Sequence, residues 1–452
     1  MLSRRRLWQA CLVRHKLSAA LQLGPAALAR RARWRLTQLS RVLWSAFRRN
    51  ASCADFVTQA EKTLDEFPLA SYLPLRVEVR DCYSRFGEDG RLSAQRIGSA
   101  ADEIIADRVT IRGIGELQLR FEESNWYAYA PADAIIVNRH DYLVTLVQNY
   151  VLADCPRSRD KIRQLFAYWM DNFDGAAMVR SDTPIDAAIR LINWLFAFNC
   201  DALDLDEKGK RRLLRTIYLQ LDYIYCRFSA GGNHLVLEAL ALYLYGGVFR
   251  NTRNGADWHV WARQVLITEL DRQTTPDGVH TEQSMFYHQA VTTHFLKFFL
   301  GARHFGDEIW PAMRERFEAM LDYIHETAMP DGTHPVVGDG ESLTTADREH
   351  WEARALLASR WALFDKPVDA ALVDRIDDSS IWLLACSRTD VEATETPRES
   401  RVFRDSGLAV FRDRDAYVFI DAAPFSDPEF SHHGHADALS FVACGPAGQL
   451  LI

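Results

Sequence analysis

The sequence predicts a multidomain chain that is helical first and strand-rich last. From about residue 140 to 375, apolar residues recur at helical spacing in HDYLVTLVQNYVLA, PIDAAIRLINWLFAF, KRRLLRTIYLQLDYIYCRF, NHLVLEALALYLYGG, TTHFLKFFLGARHF and RFEAMLDYIHETA. After about residue 400 the pattern changes to short β-rich runs between polar turns, as in SRVFRDSGLAVFRDRDAYVFIDA and ALSFVACGPAGQLLI. A chain of 452 residues, 48% hydrophobic, has enough apolar surface to bury a large core in two or three domains.

The first 50 residues stand apart. They hold twelve basic residues (Arg4, Arg5, Arg6, Arg14, Lys16, Arg30, Arg31, Arg33, Arg35, Arg41, Arg48, Arg49) and no acid, although the chain as a whole carries a net charge of -8. The apolar run LWQACLV is broken by Arg14 and His15, so no secretory signal is read there. Leu17, Leu21, Leu23, Leu28, Trp34, Leu36 and Leu39 among the arginines predict amphipathic helices lying against the rest of the protein or against an anionic membrane. No run of about 18 apolar residues is present, so no membrane span is expected. Nor is a nucleic-acid partner. Eight cysteines without a CxxC pair, several within apolar runs, predict buried free thiols.

In the helical body, NHLVLEALALYLYGG is apolar on nearly all faces, which predicts a helix buried among helices and capped by Gly246-Gly247. Two turns echo one another, Pro276-Asp277-Gly278-Val279-His280 and Pro330-Asp331-Gly332-Thr333-His334, offset by 54 residues. That is about one helical hairpin, and stacked hairpins form a solenoid or a closed toroid with equivalent loops at one end.

Three groups of residues have chemical potential. Gly231-Gly232-Asn233-His234 opens the buried helix, with Glu238 one turn beyond; taken alone, Asn233 reads as an N-cap and His234 as a core histidine bonded to Glu238. The segment DGVHTEQSMFYH holds Glu282, Tyr287 and His288, and Tyr287 falls 54 residues after Asn233, the equivalent place on the next hairpin. The segment SHHGHADALSF places His433, His435 and Asp437 on one face if it enters a strand, and histidines two apart on a strand are a common metal-ligand arrangement.

Taken together, Asn-His-x-x-x-Glu at Asn233 to Glu238, DGVHTEQSMFYH and HHGHADALSF resemble the heparinase II/III-like polysaccharide lyases, a superfamily that includes alginate and oligoalginate lyases. The resemblance spans roughly residues 110 to 452. It implies an incomplete (α/α) toroid followed by an antiparallel β-sandwich only partly present here, hence a basic helical segment at 1–50, the toroid at 51–395 and the start of the sandwich at 396–452. It also implies β-elimination on an acidic, uronic-acid-containing polysaccharide, and a periplasmic or cell-envelope location, with a cytoplasmic one as the alternative because no clear signal peptide is seen. Carried onto this chain, Asn233 and His433 would neutralise the uronate carboxylate, Tyr287 would transfer protons and His234 would assist as base. Glu238, Glu282 and His288 would contribute to substrate binding, and His435 would ligate a structural zinc. The family completes that zinc with an aspartate at the end of the next strand and a later histidine, and the sequence stops at Leu450-Leu451-Ile452, so the remaining ligands are expected beyond Ile452. The elimination itself needs no cofactor.

Two other readings compete. A glycoside hydrolase on a similar toroid would use carboxylates among Asp277, Glu282, Asp331, Asp339 and Glu341. A non-catalytic glycan-binding protein would use aromatics such as Trp194, Trp258 and Trp261.

Overall fold

A computed structural model gives the architecture and describes residues 25–65, 73, 76–111, 115–119, 137–172, 183–200, 202–340, 353–369, 378–384, 393–394, 398–413, 416–424, 433–435, 439–445 and 448–451. The helices before the first site motif are α1 (Pro25–Asp65), α2 (Arg76–Arg85), α3 (Gly87–Ile105), α4 (Tyr142–Ala153), α5 (Pro156–Asn172), α6 (Pro184–Asn199) and α7 (Glu207–Arg227). From the motif onward come α8 (Gly232–Val248), α9 (Arg253–Gln273), α10 (Met285–Phe305), α11 (Trp310–Thr327), α12 (Ala353–Phe364) and α13 (Asp378–Leu384). A hairpin of β1 (Arg108–Ile111) and β2 (Gly115–Gln118) follows α3, and β3 (Val368–Asp369) pairs in parallel with β4 (Ala393–Thr394).

Alternate helices touch: α4, α6, α8, α10 and α12 pack in sequence as an inner ring, while α5 meets α7 and α9 meets α11 in an outer one. This is the layering of an (α/α) toroid. The apolar, all-face sequence of α8 is explained by its place, wedged between α6, α9 and α10. Trp382 of α13 donates its indole N–H to the Tyr83 hydroxyl of α2 (3.2 Å), bringing the two ends of the arc together.

Three expectations are corrected here. Gly246 and Gly247 do not cap α8 but lie inside it: a Cβ at Gly246 would stand 2.6 Å from the His259 backbone nitrogen, so the glycine lets α9 cross closely. The boundary at residue 50 falls in the middle of α1, a continuous helix packed on α7, so helix and not linker joins the basic segment to the body. Cys82 is disulfide-bonded, whereas Cys53, Cys155, Cys200, Cys226 and Cys444 are free.

The strand-rich end is a five-stranded antiparallel meander of β5 (Arg401–Phe403), β6 (Leu408–Asp413), β7 (Ala416–Asp421), β8 (Ser440–Gly445) and β9 (Gly448–Leu451). Phe403, Leu408, Val410, Tyr417, Phe419, Val442 and Cys444 form its inner face, which buries against Val279, Met285, Tyr323 and Met329 of the helical body. The opposite face carries Val402, Phe411 and Phe441, all exposed, and is the face a second sheet covers in a sandwich. Both Pro-Asp-Gly turns lie at the sheet end. Asp277 accepts from the backbone N–H of Asp405 (2.8 Å) and Ser406 (3.2 Å), and Cys444 of β8 meets Met329 beside the second turn. Arg398, Arg412 and the Tyr417 hydroxyl donate to carbonyls at the end of α11, satisfying acceptors that helix termini leave open.

Candidate active site

The site starts where α8 begins. Gly232 has φ +71°, and a Cβ there would lie 2.9 Å from a Glu282 oxygen, so glycine is required on both counts. The helix N-cap is Gly231; Asn233 lies inside the first turn and is not the cap. Its backbone N–H donates to Glu282 Oε1 (2.9 Å), and its Nδ2 donates to Oε1 (3.0 Å) and Oε2 (2.8 Å). A carboxylate at a helix N-terminus meets free amides and the positive end of the helix dipole.

Helix α10 begins at the equivalent level. Ser284 caps it, accepting from the Tyr287 backbone N–H (3.2 Å) and donating its hydroxyl to the Asp339 carbonyl (2.5 Å). Gly338, at φ +65°, brings its loop so close that a Cβ would lie 2.6 Å from the carbonyls of Gln283 and His433. The Asp339 N–H donates to the His433 carbonyl (2.7 Å), fixing the backbone of the histidine motif.

The His433 ring stacks on Tyr287 with centroids 3.6 Å apart and planes at 14°. Its Nδ1 pairs with Asp339 Oδ2 (3.1 Å), and its Nε2 points toward Glu282 Oε2 at 3.9 Å. Asn233, Tyr287 and His433 thus converge around Glu282. Burial raises the Tyr287 pKa, the charges of Glu282 and Asp339 raise it further, and Arg139 pulls it down. Tyr287 is therefore a neutral phenol at neutral pH, able to donate a proton.

His433 and His435 do not enter a strand; the strand starts at Ser440. The two rings meet at one carboxylate, because His435 Nε2 lies on Asp339 Oδ1 (2.7 Å) while His433 Nδ1 holds Oδ2. Their hydrogen bonds keep the Asp339 carboxyl below its ordinary range. Among the described residues no group of three or more His, Cys, Asp or Glu has the placement to hold a metal, so those residues alone do not make a zinc site. Asp437 lies outside the described residues.

The three residues expected to bind substrate are buried. Glu238 is 0% exposed, Glu282 1% and His288 1%. Glu238 spends both oxygens on Ser229, accepting from its N–H (2.6 Å) and hydroxyl (2.7 Å), and burial pushes its pKa up to about 8. His288 accepts the His280 N–H at Nδ1 (3.3 Å) and donates Nε2–H to the Met320 carbonyl (3.1 Å), with a pKa lowered by burial to about 4. These groups shape the site from behind. His234 is exposed in the first turn of α8, one residue from Asn233, and not in the core on Glu238.

Arg139 is a neighbour that sequence reasoning missed. It pairs with the buried carboxylate of Asp186 through Nε (2.8 Å), while the other Asp186 oxygen accepts from the Thr183 N–H (2.9 Å) at the start of α6. An arginine just ahead of a helix carries no motif. Only the fold brings its charge to Tyr287.

Several residues of the competing readings are engaged elsewhere. Asp277 binds the sheet, Asp331 binds Thr333 of its own turn, and Glu341 lies outside the described residues. Trp194 and Trp258 are core residues, and Trp261 packs on Tyr225 and Phe228.

Two family profiles match the chain: the one described as Heparinase II/III N-terminus over residues 153–358, and Heparinase II/III-like, C-terminal over residues 395–444. The chain belongs to the heparinase II/III-like family. Among curated relatives it is similar to a heparin-sulfate lyase of Pedobacter heparinus, 28% identical over 128 residues that make up 28% of this chain and 19% of the relative. A heparin-sulfate lyase of Bacteroides stercoris is 28% identical over 116 residues, 25% of this chain and 17% of the relative. Among solved structures, a heparinase III superposes with a TM-score of 0.61 at 14% identity, covering 78% of this chain and 57% of that one. The heparan sulfate lyase of Pedobacter heparinus gives 0.52 at 19%, with coverages of 78% and 54%. The chain thus matches less than a fifth of the curated relatives' length and little more than half of the solved ones. At these identities the structural likeness is one of fold.

Proposed function

We propose that this heparinase II/III-like chain is a polysaccharide lyase that cleaves an acidic, uronic-acid-containing polymer by β-elimination. The convergence of Asn233, Tyr287 and His433 on one point carries the reading. Elimination must remove a C5 proton that is α to a carboxylate, which builds a second negative charge beside the first. Donors on that carboxylate offset the cost, and one such donor is worth about 100- to 1000-fold in rate. Glu282 holds Asn233 by its backbone N–H and Nδ2, and His433 Nε2 stands 3.9 Å from the same carboxylate, so one buried acid positions the two groups assigned to the substrate's carboxylate. Tyr287, protonated at rest, supplies a proton to the departing O4. His234, exposed beside Asn233, assists in taking the C5 proton. The curated relatives are named for action on heparin sulfate, and that polymer is the first substrate to try.

A structural zinc on His435, completed by groups outside the described residues, is part of the proposal, as is a cell-envelope location. The Cys82 disulfide fits an oxidising compartment, and among the described residues no helix is long and apolar enough to cross a membrane. A panel of heparan sulfate, alginate, hyaluronan and bacterial exopolysaccharides, read by ultraviolet absorbance, tests the reaction. Elimination creates a conjugated C4–C5 double bond. New reducing ends without that absorbance would instead establish a hydrolase, and no cleavage of any polymer would leave a glycan-binding protein.

A further inference from the structure

We infer that α1 docks the protein on a bilayer surface carrying anionic headgroups, an inference independent of the lyase reading. An ordinary amphipathic helix turns its apolar stripe inward. Along residues 28–45 this one is inverted, whereas farther on Cys53, Phe56 and Ala60 turn into the core as usual. The face seated on the body holds Trp34 and Gln38, which donate to the Phe228 carbonyl (2.9 and 2.6 Å), Arg41, which lies 3.7 Å over the Tyr225 ring, and Ser45, which donates to Asp222 (2.6 Å). The opposite face carries Leu28, Leu36, Leu39 and Leu43, exposed by 42%, 67%, 59% and 70%. At about 100° per residue these leucines fall within an arc of about 80°, roughly opposite Trp34, Gln38, Arg41 and Ser45.

The charge beside the stripe is of one sign. Arg31, Arg33 and Arg35 are exposed on its flanks, and no acid occurs before Asp55. A leucine stripe edged with arginines matches a bilayer surface, where the leucines enter the acyl boundary and the arginines meet lipid phosphates. An acidic polysaccharide would use the arginines and leave the leucines in water. A second copy, or the basic residues 1–24 of the same chain, would bring arginine rows against arginine rows. Since no described helix is long and apolar enough to cross, α1 lies on the surface.

Co-sedimentation of the full chain with vesicles tests this, using phosphatidylcholine alone and phosphatidylcholine mixed equally with phosphatidylglycerol. The protein should bind the anionic vesicles, weaken with added salt, and leave the neutral ones largely unbound. Leu36→Asp with Leu43→Asp should reduce binding by about 10-fold or more, with circular dichroism unchanged because both side chains face solvent. Arg31→Gln, Arg33→Gln and Arg35→Gln together form a second arm that keeps helix propensity and should also lower binding by about 10-fold or more. Equal binding to both vesicle types, no binding to either, or wild-type binding by the leucine variant would overturn the inference. So would concentration-dependent dimerisation abolished by the leucine variant, which would assign the stripe to a second copy.

Discussion

The candidate site has a mouth and a wall, both built where α8 and α10 begin. Tyr287, His433, Asp339 and His435 make the mouth, partly open to solvent and held by stacking and hydrogen bonds between side chains from separate loops. Glu282, Glu238 and His288 make the wall, where each buried polar atom has a fixed partner, and Asn233 stands at the seam, bonded to Glu282 behind it and assigned with Tyr287 to the mouth's chemistry. Histidines and carboxylates serve in both, so the difference between them lies in access to water. A histidine at the mouth can meet a substrate; the one buried beneath it braces a backbone. Substitutions at the mouth should therefore remove chemistry and spare the fold, and those in the wall should do the reverse.

The sharpest test of the mouth is Tyr287→Phe. It deletes one hydroxyl and keeps the ring that stacks on His433, so turnover should fall about 1000-fold if the phenol transfers protons, with an unchanged thermal melt. Specific activity and circular dichroism measure it. Near wild-type turnover would move Tyr287 into the wall.

The two mouth histidines share Asp339 and should still separate. His433→Ala removes a proposed carboxylate donor and should lower turnover about 100-fold with metal content unchanged, whereas His435→Ala should release zinc and depress the melting temperature. Metal analysis of a chain that carries the completing ligands decides between them: equal loss in both variants makes both histidines ligands, and a metal-free wild type of that chain removes zinc from the proposal.

Sequence patterns located the mouth better than the wall. The 54-residue offset puts Asn233 and Tyr287 on successive inner helices because each hairpin repeats one packing unit, and that regularity is written in the chain. Asp339 was visible only as a carboxylate among several, since its meaning comes from a Gly338 turn that folds it against His433. Arg139 gave no signal because its site contact is made through space, 148 residues before Tyr287 in the chain. Glu238, Glu282 and His288 read as substrate contacts because spacing along a helix does not reveal which polar groups the next layer of structure covers. The sheet was legible as strands, but its inner face is defined by contact with Tyr323 and Met329 of the toroid.

Glu282→Gln sharpens the boundary between the two zones. Glu282 touches Asn233 from the wall and faces His433 from behind, so neutralising it should loosen both donors without deleting either. A turnover loss of about 10-fold with little change in KM is expected for such a positioning group. A rise in KM alone would mean that Glu282 contacts substrate after all, and the wall would have to be redrawn to place it at the mouth.

The smallest effect belongs to the deepest residue. Burial lifts the Glu238 pKa to about 8, so between the ordinary carboxylate range and that value the unfolded chain has released a proton that the folded chain keeps. Fewer protons bound in the unfolded state mean that stability declines as pH rises through this window. Glu238→Gln cannot ionise and removes that decline, at the cost of one acceptor for Ser229. Relative to wild type, the variant should melt at an equal or lower temperature near pH ~5 and gain on it by pH ~8. Thermal melts at the two pH values measure the difference, with turnover as the control. A constant offset between the two proteins would show that Glu238 does not hold its proton in the folded state, and a turnover loss larger than the stability change explains would place this carboxyl among the working groups of the mouth.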